Sequence, residues 1–305
     1  MDRYYQLNGR AKPANIANSI KVMSYNVQLF GLYSSSHHAE QLRVRDAEMS
    51  FLRAQQPDIL CLQEYFYDKT GTLDFNTRDS LLSLMGLSRK SSKEQSNYYV
   101  TLFPASTRNN YQAGEAIFSK YKIVRSGAVP LPDTNTYNGS LFADIKYKHD
   151  TIRVYCIHLE SFKMSEADYE IGKEWSEGNF NDPAFNKKAY HLSEKVAVAS
   201  RERAKQVKMI RAHVKQSPYP VIICGDFNDT PVSYSYYQLC RGLDDSFRRS
   251  GKGAGITYRG DAFPNYRIDY ILHSSKYNAY EHTVCTSIAT SDHFPVYTYL
   301  SLKKR

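Results

Sequence analysis

Nine short runs of β-branched and other apolar residues recur along this chain, and several of them end on an acid, an amide or a histidine. The runs lie at 20–27, 59–62, 98–103, 116–118, 141–147, 152–158, 221–224, 268–272 and 296–300. Each sits beside Gly, Pro, Asn or Asp, the flanks expected of β-strands. Two stretches between them have helical character. One covers about 37–56 and is stopped by Pro57. In the other, about 195–215, Val196, Ala199, Arg203, Val207, Ile210 and Val214 recur at helical spacing. These two helices fall where crossovers between strands are needed. Leu141 to Tyr147 and Ile152 to His158 flank a KHD turn, which predicts an antiparallel pair. Many strands with few helices predict an α/β (α+β) fold in which two packed, mixed β-sheets are flanked by helices.

Composition narrows the class. At 305 residues, with 42% apolar and 23% charged residues, the chain is globular in character, not disordered, collagenous or a disulfide scaffold. No run approaches the roughly 18 apolar residues of a membrane-crossing helix. The first 20 residues carry Arg3, Arg10 and Lys12 without an apolar core, so no signal peptide is expected. The net charge of +9, from 40 basic and 31 acidic residues, favours anionic partners. The 26 tyrosines suit half-buried strands and can also stack on bases. The five cysteines form no CxxC pair, and Cys61, Cys156 and Cys224 sit inside apolar runs. They read as reduced and buried, which favours a reducing compartment. Residues 162–194 break the pattern: polar, aromatic-rich and irregular, with the single Trp175, they read as an insertion of short helices and loop.

The strand ends carry the chemistry. Asn26 ends SIKVMSYN, Gln63 and Glu64 end DILCLQE, and His158 ends IRVYCIH. Asp226 and Asn228 follow VIICG, and Asp292 and His293 precede FPVYTYL. Burying such a group unpaired costs about 1–3 kcal/mol, so their repeated placement points to a shared site. Hard oxygen ligands with few cysteines suit Mg2+, with Mn2+ as the alternative. An aspartate or histidine can deprotonate water while another histidine binds the developing oxyanion. The reaction this set favours is metal-assisted hydrolysis of a phosphate ester.

The segments VMSYNVQLF, DILCLQE, GEAIFSKYKIV, YCIHLES, VIICGDFNDTP, RIDYILHS and SDHFPV run in order from residue 21 to about 300. In that order they resemble the endonuclease/exonuclease/phosphatase superfamily. It includes exonuclease III, deoxyribonuclease I, neutral sphingomyelinases, inositol polyphosphate phosphatases and tyrosyl-DNA phosphodiesterase. The resemblance implies a four-layer sandwich, with 21–305 as one catalytic domain after an N-terminal extension at 1–20. It implies that Glu64 binds metal, with Asp292 on the metal side and Asn26 positioning metal and phosphate. Asp226 would orient or deprotonate the attacking water, and Asn228 would hold a phosphate oxygen through its NH2. His293 and His158 would face the phosphate, with Asp269 fixing the tautomer of His293. Ser161 would add a hydroxyl. Arg203 and Gln206 resemble the Arg-x-x-Gln pair that follows HLES in tyrosyl-DNA phosphodiesterase relatives, where a supporting role is expected before a direct one. Thr257 and Tyr258, in GKGAGITYRG, would flank the substrate.

Two departures stand out. Several DNA-acting members carry Asn-x-Asp in the first motif, whereas the third position here is Gln28, so one tightly bound metal is expected over two. The insertion after HLES would wall the site and alter which substrate fits. The leading expectation is a Mg2+-dependent phosphodiesterase of nuclease type acting as a monomer. The cytoplasm is the favoured compartment, and a membrane tether through an upstream segment is the alternative. The same chemistry on a phospholipid head group or inositol phosphate is the second reading. A non-catalytic binding module, expected to lack one of the acids or histidines, is the third.

Overall fold

Alternation along the strands decides which side chains enter the interior. In β1 (Ser19–Asn26), Ile20 and Val22 face the centre of the molecule, and Met23 and Tyr25 face the opposite way. The same period of two operates in β2 (Ile59–Asp68), where Ile59 and Cys61 point in and Leu60 and Leu62 point out. The structure, a computed structural model, describes residues 3–7, 18–32, 36–106, 111–132, 138–163, 168, 171, 183–259 and 265–303.

The remaining strands are β3 (Tyr99–Ser106), β4 (Tyr111–Ser119), β5 (Ile123–Ala128), β6 (Ser140–Tyr147), β7 (Asp150–His158), β8 (Val221–Asp226), β9 (Leu243–Asp245), β10 (Asp269–Ser274), β11 (Tyr277–Val284) and β12 (Val296–Leu302). They form two six-stranded sheets, in the orders β11-β12-β1-β2-β4-β3 and β5-β6-β7-β8-β10-β9. β1 and β2 are parallel, as are β7 and β8; every other neighbouring pair is antiparallel. A parallel pair needs a long crossover. Helix α1 (His38–Gln55) supplies one and a 33-residue helix, Pro183–Lys215, supplies the other. The expected hairpin is present, with Tyr147 opposite Asp150.

Between α1 and that long helix lie α2 (Thr77–Leu84) and the single turn α3 (Ser92–Gln95). The long helix is therefore α4, followed by α5 (Tyr234–Cys240) and α6 (Ser246–Ser250). Leu52 of α1 and Leu81 of α2 pack on the outer face of the first sheet, and Val207 and Ile210 of α4 on the outer face of the second. The inner faces meet through Val22, Cys61, Val154, Cys156, Ile222 and Cys224. The result is the four-layer order helix, sheet, sheet, helix. All five cysteines are free. Among the described residues no helix is long and apolar enough to cross a membrane.

α1 ends where Gln56 takes a left-handed conformation (φ 48°) just before Pro57. α4 begins earlier than its apolar spacing indicates, at Pro183 instead of about 195, so the last part of 162–194, read as short helices and loop, is the first part of one long helix. Most of its described side chains before Ala199 are exposed, so that part of the helix carries no apolar stripe to read. Within the expected insertion, Asp168 is buried and pairs with Lys195. Ile171 is buried as well. Trp175 and most of 164–182 lie outside the described residues.

Candidate active site

Parity places the site. Asn26, His158, Asp226 and Asp269 share the inward parity of Val22, Cys156, Cys224 and Ile271, and each stands where its strand meets the same end of the sandwich. The register sets His158 opposite Asp226, and Asp226 opposite Asp269, on adjoining strands. Gly225 makes the close approach of β8 to β7 feasible. Its φ is 151°, and a Cβ there would overlap the Ile157 carbonyl.

Asp226 is the hub. Its Oδ2 accepts from Asn26 Nδ2 at 3.3 Å and lies 3.6 Å from both His158 Nε2 and His293 Nε2. Its Oδ1 accepts from the Asn228 backbone N–H at 2.7 Å. Burial pushes the Asp226 carboxyl up to about 6 against the pull of the two histidines. His293 Nδ1 lies 2.9 Å from Asp269 Oδ2. Burial disfavours the charged ring, but Asp269 and Asp226 outweigh it and hold His293 well above its ordinary range. His158 shifts the other way, lowered by burial.

Glu64 has outward parity along β2 and reaches the site through a bulge. Leu62 pairs with Ala116 and Tyr65 with Gly114, so Gln63 and Glu64 together oppose the single residue Glu115. Glu64 takes a left-handed φ of 49° there, and its Oε1 accepts from Asn26 Nδ2 at 3.0 Å. Burial raises the Glu64 carboxyl, Asn26 opposes the rise, and Asp292 adds to it. Among the described residues no lysine or arginine comes within 4.0 Å of the carboxylate of Glu64 or of the half-buried Asp292. Glu64 and Asp292 offer hard oxygen donors without a lysine or arginine partner, a set that fits a hard divalent cation, with His158 Nε2 3.9 Å from Glu64 Oε1. Asn26 turns its NH2 to Glu64 and Asp226 and its oxygen to the Gln28 N–H at 3.1 Å, so it ties the two carboxylates together. A second trio of ligand-type atoms, on Asp226, Asp269 and His293, lies within 4.8 Å of one another. There Asp269 faces Nδ1 of His293, whose proton is held well above its usual range. In that trio only Asp269 and His293 are hydrogen-bonded, and Asp226 stands 3.6 Å from His293 Nε2.

Glu115 belongs to the site although the sequence motifs do not single it out. It points inward from β4, fully buried, with its Oε1 3.7 Å from His158 Nδ1. Neither carboxylate oxygen has a hydrogen-bond partner, nor does His158 Nδ1. Burial drives the Glu115 carboxyl well above the usual range, which favours its neutral form. Its signal in the sequence is an acid at the inward parity of Ile117, next to the apolar run Ala116–Phe118.

The outer residues hold this centre. Asn228, at φ 49°, gives one N–H of its amide to Leu159 O at 3.0 Å. Arg203 is fully buried, its guanidinium bonded to Glu160 O at 2.9 Å and to Asp229 at 3.2 Å and stacked 4.3 Å from the Phe162 ring. Gln206 accepts the Glu160 N–H at 3.0 Å. Both residues brace the HLES main chain, and the guanidinium has no open approach for substrate. Ser161 is half-buried just beyond β7. Thr257 Oγ1 accepts the N–H groups of Ile268 and Asp269, each at 3.0 Å, and so sets the start of β10. The Tyr258 ring lies 5.1 Å from that of His293. Ser291 Oγ donates to Asn26 O at 2.9 Å and accepts the His293 N–H at 3.1 Å, which fastens the SDH turn to β1.

Comparison with known proteins bears on the fold and the family. No curated protein sequence matches the chain. Among solved structures, an endonuclease/exonuclease/phosphatase from Beutenbergia cavernae aligns over 93% of this chain and 72% of its own, at 16% identity and a TM-score of 0.64. The human Nocturnin catalytic domain, solved with bound sulfate anion, aligns over 94% and 95% at 19% identity and a TM-score of 0.59. Truncated TDP2 from Caenorhabditis elegans aligns over 93% and 98% at 16% identity and a TM-score of 0.57. At these identities the likeness is one of fold. Residues 23–293, from the inner strand β1 to the histidine of SDH, match the Endonuclease/Exonuclease/phosphatase family as a whole. The chain belongs to that family, whose members are hydrolases of phosphoester bonds that generally depend on a divalent metal.

Proposed function

We propose that this protein is a Mg2+-dependent phosphodiesterase that hydrolyses phosphodiester bonds in nucleic acid by in-line attack of water. The observation that carries the reading is the Asp226 carboxylate, raised to about 6 and flanked at 3.6 Å by two histidines that the site pushes in opposite directions, His293 toward and His158 away from the charged form. Glu64 and Asp292, with Asn26 between Glu64 and Asp226, would hold the Mg2+, with Mn2+ as the alternative. When bound, that ion would polarise the phosphate and offset its charge. Asp226 accepts the proton of the attacking water, as a base poised near neutrality does best. His293, its Nδ1–H held by Asp269, presents Nε2–H to a phosphate oxygen as charge builds. The second N–H of the Asn228 amide and His158 Nε2 hold the other oxygens, with Glu115 behind His158. Ser161 and Tyr258 flank the substrate, and Arg203 holds the main chain that carries Ser161. The shared core between the sheets supports reading 21–305 as one catalytic domain, 1–20 as an extension and about 162–194 as an insertion. The charge of +9 supports an anionic polymer as substrate.

The test is Mg2+-dependent hydrolysis of a panel containing abasic-site DNA, single-stranded DNA and RNA, a 5′-phosphotyrosyl oligonucleotide, sphingomyelin and inositol phosphates. Asp226→Asn and His293→Ala should each lower kcat on one nucleic-acid class by about 10²–10⁴-fold, the range for losing a positioned proton-transfer group. EDTA should abolish turnover and Mg2+ restore it. Turnover of lipid or inositol phosphate alone would overturn the nucleic-acid assignment. Silence on every substrate, with no Mg2+ bound, would overturn the enzyme reading.

A further inference from the structure

The segment 3–7 is fastened beside the loop that leaves Asp226. Arg3 Nη1 donates to Pro231 O at 3.2 Å, and its guanidinium carbon lies 5.9 Å from the centroid of the Tyr236 ring. The Arg3 carbonyl accepts from Arg267 Nη2 at 2.9 Å, and Arg267 is itself buried and bound to Asp245 at 2.8 Å. Gln6 pairs with Gly253 in both directions, at 2.9 and 2.8 Å. A fixed strap therefore crosses from Pro231 to Gly253.

Exposed apolar side chains gather on this strap, the loop it crosses and the start of α5. Among the described residues eleven large hydrophobic side chains are exposed, and six of them are Tyr4, Tyr5, Leu7, Val232, Tyr234 and Tyr237. Leu7 is 77% and Val232 68% exposed, values that packing within one chain does not explain. The face also connects to the catalytic centre. Tyr4 lies close enough to Tyr266 to raise its phenol further, Tyr266 pairs with Tyr258, and Tyr258 packs on His293.

We propose that this face is a binding surface for single-stranded nucleic acid, whose bases stack on Tyr4, Tyr5, Tyr234 and Tyr237 on the way to the site; this rests on the phosphodiesterase reading above. Four of the six side chains are tyrosines, flat rings that stack on any base. A lipid-inserting face would be led by Leu, Phe or Trp, and here only Leu7 and Val232 are aliphatic. The charge is complementary too. Arg3, Arg241, Arg248 and Lys252 lie along these segments, while the nearby Asp229 and Asp244 are already paired with Arg203 and Arg249.

The test separates binding from hydrolysis. A fluorescein-labelled single strand of about twelve nucleotides, within the usual site size, is titrated by anisotropy in EDTA. Tyr5→Ala with Tyr234→Ala, and separately Tyr237→Ala, should raise Kd about tenfold per tyrosine. Turnover of bis(p-nitrophenyl) phosphate and the thermal midpoint should not change, and the parent's affinity should fall steeply with salt. Parent-like Kd in these variants would overturn the proposal. So would loss of sedimentation with phosphatidylcholine/phosphatidylserine vesicles at unchanged oligonucleotide affinity. Tyrosine-dependent binding by a parent that hydrolyses no diester would leave this surface standing and overturn the activity alone.

Discussion

Asp226, His158, Asp269 and Asn26 meet because each holds an inward position at the end of its strand, so a one-residue slip in any of them would send the group outward. Glu64 is the exception, and its bulge turns an outward residue toward the site at the cost of a left-handed backbone. Glu115 shows how tightly the pocket is fitted. A Cβ on Gly139 would overlap the Glu115 carboxyl and crowd Leu102. Gly139→Ala should therefore destabilise the protein by about 1–3 kcal/mol, read from urea denaturation, and should lower kcat by displacing Glu115 from His158. Glu115→Gln, which keeps the neutral state, should retain more activity than Glu115→Ala. The motif residues were legible because each ends an apolar run. Glu115 was not, because its role depends on a histidine from the other sheet.

At the scale of elements, helix α1 does more than cover a sheet. Its buried Glu48 accepts from Tyr25 Oη at 3.0 Å and Thr290 Oγ1 at 2.9 Å, which links α1 and β1 to the turn carrying Asp292 and His293. Burial pushes the Glu48 carboxyl up to about 8. Folded protein thus keeps this proton to about pH 8, whereas the unfolded chain releases it near 4.5. The associated stability is fully present below the unfolded value and is lost as pH rises to about 8, then changes no further. Glu48→Gln should remove that slope in thermal melts across the range. Glu48→Ala should likewise remove the slope, cost most at acid pH where the parent's contribution is fully present, and lower kcat, because Thr290 loses its acceptor. The sequence pattern marks α1 but not this link, since a glutamate on an amphipathic helix reads as solvated. β5, β9 and β11 were also illegible. Each is an edge strand with one partner, and β5 has mostly exposed side chains.

Across the whole molecule, stability at acid pH should be governed by buried groups away from the site. His282, whose Nδ1 lies 2.7 Å from Ser246 Oγ, is fully buried, and burial depresses its pKa from 6.5 to about 3. The folded state then excludes a proton that the unfolded chain accepts below 6.5. The stability this confers is present above 6.5 and lost as pH falls toward 3. Thermal midpoints should drop over that window, and His282→Gln should flatten the drop.

What the sequence determined by itself is local in origin. Period-two runs, the polar residue at the end of each and the order of the motifs established two mixed sheets, their crossover helices and the family. The tertiary structure alone decided which ends meet, that Glu64 enters through a bulge, that Glu115 backs His158, and that Arg203 is sealed behind main chain. Those outcomes depend on the register between strands and on the facing of two sheets, which bring together residues as far apart as Asn26 and Asp226, and no periodicity within one segment encodes that distance.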